Sequence, residues 1–364
     1  MANSNTLTSP PSYLKAHAGN GDMRDAALRW FRGAEFGLFM HYGLYSILAG
    51  SWKGQPAPRK GAEWIRWASP IPLSDYTELK NEFTAEAFDA DAICDLALEA
   101  GMKYVNLTSQ HHDGFCLWDT DTCDFNSMNS PAKRDLVAEL VEACDRKGLG
   151  CFLYYSHGRD WWHPDSPDNG GAACRPDTPE DAAHFHSDGD YDLDCYLDFA
   201  HAQILELCNK YKPLAGIWLD GIGTFKHMQN GPTLSRAQQL YDQIHATQPQ
   251  ILVSYKQGLT YTEDFFAPER SVRIEGDGAV TSEAEKPYEI CTTLQPHSWG
   301  YHAGDDGQHQ DADWVLEQLK VAGEIPANLL LNTGPKGDGS VPEEDIRTLR
   351  EVGERLRASP ATVL

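Results

Sequence analysis

The chain has 364 residues and carries 30 basic against 54 acidic side chains, a formal net charge of −24 at pH 7. That excess argues against nucleic acid or an anionic membrane as partner, because phosphate binding needs a basic footprint. No stretch approaches the roughly 20 apolar residues of a membrane span, and the polar opening from Met1 to Asn20 lacks the apolar core of a signal peptide, so a cytoplasmic location is expected.

Strand-like apolar runs alternate with amphipathic helical ones along the sequence. After an N-terminal extension over 1–23, Arg24–Phe31 reads as a helix and Phe36–His41 as a strand. Helix Asp89–Ala100, stopped by Gly101, leads to strand Tyr104–Thr108, and helix Asp135–Lys147, stopped by Gly148, leads to strand Gly150–Tyr155. The pattern continues with helix Tyr191–Tyr211, strand Gly216–Leu219, helix Arg236–Thr247 and strand Ile251–Tyr255. Helix Asp311–Gly323, strand Asn328–Asn332 and helix Pro342–Ala358 close it. Such alternation predicts a parallel sheet, and the count nears eight units when one or two weak strands around 270–300 are included. Polar residues end many different strands rather than meeting at one switch point. The expected fold is therefore an α/β, (β/α)8-type TIM barrel forming one catalytic domain over 24–364. Two long loops, Pro164–Asp190 and Gln257–Lys286, are expected on the active-site side.

Nine scattered cysteines, at 94, 116, 123, 144, 151, 174, 195, 208 and 291, form no Cys-x-x-Cys pair and read as reduced, mostly buried small hydrophobes. The strand ends supply the chemistry: His41, His111, His112, Ser156, His157, Asp220 and Lys256. The segment Gln110-His-His-Asp-Gly-Phe115 is the densest polar cluster, and polar groups gathered at a strand end usually have a ligand to meet. Adjacent histidines on an extended segment point to opposite sides, so only one of His111 and His112 faces the site centre unless the backbone kinks. Asp220 suits a nucleophile or general base; the ordinary alternative is a helix-capping aspartate in a βα loop. For His41 the alternative is a core histidine bonded to backbone. Trp64, Trp118, Trp161, Trp162, Trp218 and Trp299 offer faces on which a sugar ring can stack, although core packing accounts for several equally well.

Three chemistries fit these residues. Glycoside hydrolysis needs two carboxylates: Asp220 is one candidate, and Glu269, Glu275, Glu283, Glu285 or Glu289 the other. A metal-dependent hydrolase would use His41, His111, His112, His157 and Asp220, but the spacing shows neither His-x-His on the first strand nor His-Glu-x-x-His. A sugar-binding protein without catalysis is the third.

The order of motifs narrows the choice. Phe36-Gly-Leu-Phe-Met-His-Tyr-Gly-Leu-Tyr-Ser46, Gln110–Phe115, Tyr154-Tyr-Ser156 with Asp160-Trp161, and Ile217-Trp-Leu-Asp-Gly221 come first. Tyr288-Glu-Ile-Cys-Thr292 leading to Ser298-Trp-Gly-Tyr301, then Asn328–Pro335 with Gly337-Asp-Gly339, complete the series. From about Trp30 to Pro342 the chain thus resembles the α-L-fucosidases of glycoside hydrolase family 29. The resemblance implies a barrel and a retaining mechanism without metal or other cofactor, acting on terminal α-L-fucosides of an oligosaccharide or glycoconjugate. A different α-linked sugar and a catalytically weak fucose-binding protein are the alternatives.

By that resemblance Asp220 is the nucleophile, and His41, Glu63, Trp64, His111, His112 and Tyr155 hold fucose hydroxyls, with Lys256 and Trp299 also in the site. Glu289 is the first choice for acid/base, since apolar neighbours Pro287, Tyr288 and Ile290 would raise its pKa; Glu269 is second. Two departures stand out. Ser254-Tyr-Lys256 replaces a segment that usually supplies an arginine, and a point charge does not reproduce a planar fork. The C-terminal β-sandwich common in relatives is absent up to Leu364, so the expected site is more open on that side or completed by a neighbouring copy in a homo-oligomer.

Overall fold

The computed structural model describes residues 9–18, 21–58, 61–69, 71–167, 178–185, 191–221, 225, 231–256, 258–269 and 286–358. Seven strands form one sheet: β1 (Phe36–Met40), β2 (Tyr104–Gln110), β3 (Gly150–Tyr155), β4 (Gly216–Leu219), β5 (Leu252–Ser254), β6 (Tyr288–Thr293) and β7 (Ala327–Thr333). All pairings are parallel, in the order β5-β4-β3-β2-β1-β7-β6. The long helices are α1 (Met23–Arg32), α2 (Ala90–Glu99), α3 (Leu136–Lys147), α4 (Leu193–Lys210), α5 (Gly231–Thr247), α6 (Ala312–Glu324) and α7 (Glu343–Ala358). Asp22, Asp89, Asp135, Asp192 and Asp311 cap α1, α2, α3, α4 and α6, each carboxylate accepting a backbone N–H of the first turn. Such caps are worth about 1 kcal/mol each and put part of the acidic excess at helix N-termini, where the dipole favours it. Helix α5 begins earlier than the Arg236 expected, at Gly231-Pro232, because proline is tolerated in a first turn.

Side-chain alternation along the strands separates two cores. Leu38, Met40, Val105, Leu107, Cys151, Leu153, Tyr155, Ile217, Leu219 and Val253 face outward, into the larger cluster shared with the helices. Phe39, Tyr104, Phe152, Tyr154, Trp218, Leu252, Cys291 and Leu330 face the interior of the curl. The bottom of this interior is plugged by the described part of the N-terminal extension: Tyr13 packs on Trp30 with ring centroids 4.6 Å apart, and its hydroxyl donates to Leu214 O.

Of the (β/α)8 barrel expected, the described residues show a curled seven-stranded parallel sheet. The edges of the curled sheet, β5 and β6, are joined by an extended stretch making isolated parallel bridges, Ser254–Phe265 on one side and Phe266–Tyr288 and Glu269–Cys291 on the other. Among the described residues this stretch forms no regular strand. Pro268 within it has no N–H to donate to a ladder and contributes only its carbonyl, which accepts from Cys291 N at 3.3 Å. The linker carries Glu269 to the mouth.

Between β1 and α2 lie short helices at Tyr45–Leu48, Ile65–Ala68 and Leu73–Glu78, and a small hairpin of Ser51–Trp52 with Gln55–Pro56. These pieces are too short to show hydrophobic periodicity, which is why none is expected from sequence. They bring up Arg66, which is buried, donates to Trp161 O, and pairs with Asp181 Oδ2 at 2.7 Å; the other Asp181 oxygen accepts from Leu73 N. The pair fastens the described parts of the Pro164–Asp190 loop to the body. Asp181→Ala leaves a buried guanidinium uncompensated and should cost about 3–5 kcal/mol. A lower urea midpoint checks this, and an unchanged midpoint would refute it.

Candidate active site

A cavity of about 200 Å³ opens at the C-terminal ends of the strands, where parallel barrels place their sites. Its floor is the interior core (Phe39, Trp218, Cys291), and its walls come from β1 (His41), the short-helix insert (Glu63, Trp64), the end of β2 (His111, His112), β3 and its loop (Tyr154, Arg159), Asp220, Lys256, Glu269 and Trp299.

Asp220 follows β4 directly and is only 7% exposed. Its Oδ2 accepts from the Tyr154 hydroxyl at 2.8 Å, and its Oδ1 accepts from Gly221 N at 2.6 Å and lies 2.8 Å from Lys256 Nζ. None of these contacts is a helix cap. Gly221 has φ +84°, and an added Cβ on Gly158 would meet Gly221 O at 2.1 Å. Only glycines permit the loops after β3 and β4 to press together here, with Gly158 N donating to Asp220 O at 2.9 Å. Burial alone would raise the carboxyl's pKa, but the Lys256 ammonium, aided by Arg159, outweighs it and holds Asp220 well below the usual carboxylate range. The Lys256 ammonium also lies 3.3 Å from Glu269 Oε2, and Trp299 Nε1 donates to Glu269 Oε1 at 3.2 Å. Burial works against the ammonium, but Asp220 and Glu269 together raise its pKa above the ordinary lysine value.

The histidines are neutral acceptors. His41 Nδ1 donates to Asn332 Oδ1 at 2.7 Å, and the Asn332 amide is itself tied to Thr293 Oγ1 and Trp299 O, so Nε2 carries no proton. Burial lowers the His41 pKa to about 4. His112 Nδ1 lies 2.6 Å from Ser156 Oγ, whose own proton goes to Arg159 O; Nδ1 is therefore the donor there as well. Burial drives His111 and His112 far below the usual histidine value. Both line the pocket, with ring centroids 4.1 Å apart. The backbone kink that this requires is present: β2 shifts register between Thr108 and Gln110, and the chain turns at Gly114 (φ +80°). Glu63 Oε2 accepts from Ser298 Oγ and from Trp299 and Gly300 N–H at 3.0–3.1 Å, while burial nets its pKa upward.

Two expectations are corrected. Tyr155 is not in the pocket: strand alternation turns it outward, where its hydroxyl donates to Gln203 Oε1 at 2.7 Å, and Tyr154 takes the inner place. Glu289 is not in the pocket either. It points into the interior one step below Cys291, accepting from Tyr104 OH at 2.6 Å and Trp218 Nε1 at 3.0 Å. Burial does push it up to about 7, but a raised pKa without access to ligand does not make an acid. His157 stands behind the pocket, Nε2 to Nε2 with His201 at 3.1 Å, so the five-ligand metal set does not converge. Among the described residues, metal-type triplets occur only at His163, Asp165, Cys195 and at Asp306, His309, Glu344, both elsewhere. Glu275, Glu283 and Glu285 lie outside the described residues. Arg159, over the Trp64 ring at 5.1 Å, is absent from the sequence expectations; no periodicity marks it, since it lies in a loop.

The sequence profile of the α-L-fucosidase family matches residues 3–359. Human plasma α-L-fucosidase is 28% identical over 355 residues, covering 91% of this chain and 68% of its own length. The chain spans 64% of the length of a Caenorhabditis elegans relative that is 27% identical over 89% of the chain. Among solved structures, α-L-fucosidase isoenzyme 1 from Paenibacillus thiaminolyticus superposes with a TM-score of 0.78 at 33% identity, covering 94% of this chain and 77% of its own. The Lactobacillus casei α-L-fucosidase AlfC, bound to α-L-fucose as product, gives 0.79 at 28% identity, covering 92% of this chain and 99% of its own.

Lys256→Met removes the chief charge that offsets burial at Asp220. The Asp220 pKa should then rise, which a ¹³C carboxyl titration by NMR would follow. A resonance still ionised as far into the acid range as in the parent would contradict the assignment of Lys256 as the dominant counter-charge.

Proposed function

Because the chain belongs to the α-L-fucosidase family, we propose that it is a retaining exo-glycosidase hydrolysing terminal α-L-fucosides, with Asp220 as nucleophile and Glu269 as acid/base. The observation that carries this reading is the shared ammonium. Asp220 and Glu269 oxygens both contact Lys256 Nζ, so they lie within about 6 Å of each other. Retaining enzymes hold their carboxyl groups about 5–5.5 Å apart and inverting ones about 6.5–9.5 Å.

Asp220, kept ionised, attacks the anomeric carbon while Glu269 delivers a proton to the leaving oxygen, giving a fucosyl ester and the free aglycone. Water then enters and attacks the anomeric carbon while Glu269 takes its proton; the bond from that carbon to the Asp220 oxygen breaks, releasing fucose and the free carboxylate. Tyr154 keeps Asp220 Oδ2 in place by its hydrogen bond, which limits the rotation open to the nucleophile. Glu269 suits the second role because its side chain is 40% exposed and can reach an aglycone, whereas Asp220 is deep. The acceptor nitrogens of His41 and His112 and the Glu63 carboxylate match sugar hydroxyls, which donate. The apolar faces of Phe39, Trp218 and Trp299 suit the methyl group that distinguishes a 6-deoxy sugar. The cavity admits one sugar ring, in keeping with removal of a terminal residue.

Turnover of an aryl α-L-fucoside tests the reading. Asp220→Gly should cut kcat by on the order of 10⁴-fold, with partial recovery in azide, which replaces the missing carboxylate; full activity in that variant would sink the proposal. Glu269→Ala should cost about 10²–10⁴-fold on a poor leaving group and far less on a good one. Equal losses on both would remove Glu269 from the acid role.

A further inference from the structure

Resting on the fucoside-hydrolysing reading, we propose that Glu289 is a positioning residue for the reaction. From below the pocket it fixes the Trp218 indole on which the Asp220–Lys256 pair is built. Glu289 is 1% exposed, among the aromatic side chains of the interior. A carboxyl buried among such groups is costly unless both oxygens are satisfied. Here each oxygen takes one donor, Tyr104 OH at 2.6 Å and Trp218 Nε1 at 3.0 Å. An apolar residue would fill the same space without that cost, so the acceptor itself has a use.

The use lies one contact higher. An indole can only donate, and its single N–H chooses the ring's rotation by where the acceptor sits. Above the ring, Trp218 stacks on Tyr154 with centroids 5.5 Å apart and planes 23° from parallel. Tyr154 donates to Asp220 Oδ2 at 2.8 Å, and Lys256 Nζ lies 5.9 Å from the Trp218 ring centroid. Glu289 thereby sets the indole plane, the plane sets Tyr154, and both set the carboxylate that attacks. A carboxyl oxygen accepting from Nε1–H also makes the ring face more electron-rich, which favours the cation above it. Glu289 acts through other side chains and touches no reacting atom.

Glu289→Leu deletes the acceptor at similar volume, Glu289→Gln restores an oxygen, and Trp218→Phe deletes the same hydrogen bond from the other end. The expected result is a fall in kcat of about 10²-fold for Glu289→Leu, with KM little changed, equal for good and poor leaving groups, and largely recovered in the glutamine variant. Combining Glu289→Leu with Trp218→Phe should cost no more than the larger single loss. Independently of turnover, the Trp218 indole N–H resonance, assigned by its loss in Trp218→Phe, should move upfield in Glu289→Leu. A loss confined to poor leaving groups would make Glu289 the acid and overturn the proposal. Wild-type kcat in both Glu289 variants, additive losses, or an unmoved indole resonance would overturn it too. A wild-type protein without fucosidase turnover refutes the functional reading alone, and the indole shift still decides the role of Glu289.

Discussion

One ammonium, that of Lys256, stands 2.8 Å from the Asp220 carboxylate and 3.3 Å from that of Glu269, and the rest of the site is arranged around it. In a chain of net charge −24, two acidic groups meeting in a half-dry cleft repel each other and resist ionisation. The cation between them removes that obstacle and lets the buried member stay charged while the other reaches solvent. Lys256 sits at φ +46°, a left-handed position unusual for a residue with a side chain, which turns it in from the end of β5 toward both carboxylates. A compact ammonium serves two carboxylates at once from this place; a planar guanidinium would commit its fork to one of them.

The sheet makes that arrangement possible through a simple rule. Odd and even residues of each strand go to different cores, so the same strands that anchor the helices also build the pocket floor. Phe39, Tyr154, Trp218 and Cys291 rise from four strands into one layer. The stretch from Phe265 to Glu269 both bridges the two sheet edges and brings Glu269 to the pocket, so a segment outside the regular ladder also lines the cavity. Strain and irregularity gathered at the mouth are what a working site requires of an otherwise regular fold.

Much of this was legible in the residues because the strands are short, apolar and separated by capped helices. All of the strands expected over 36–41, 104–108, 150–155, 216–219, 251–255 and 328–332 are present within a residue or two. What escaped was depth and facing. The apolar neighbours of Glu289 correctly signal burial, but a linear sequence does not say whether a buried carboxyl lies at the cleft or beneath it. Tyr154 and Tyr155 are chemically identical, and only the pairing of Tyr154 with Trp218 across β3 and β4 decides which faces inward. Phe152, Tyr154 and Ser156 at period two were the available signal. Glu63 and Trp64 lie on a single turn with no periodicity at all, reached through the resemblance and not through pattern.

The proposed reaction requires a covalent bond between Asp220 and the sugar. Incubation with a 2-fluoro fucosyl fluoride, which forms the ester readily and hydrolyses slowly, followed by peptide mass spectrometry, addresses it directly. The expected result is one added fluorofucosyl mass on the peptide containing Trp218-Leu-Asp220-Gly221, absent from Asp220→Gly. A label on another carboxylate, or turnover of the probe with inversion and no labelled protein, would contradict the claim.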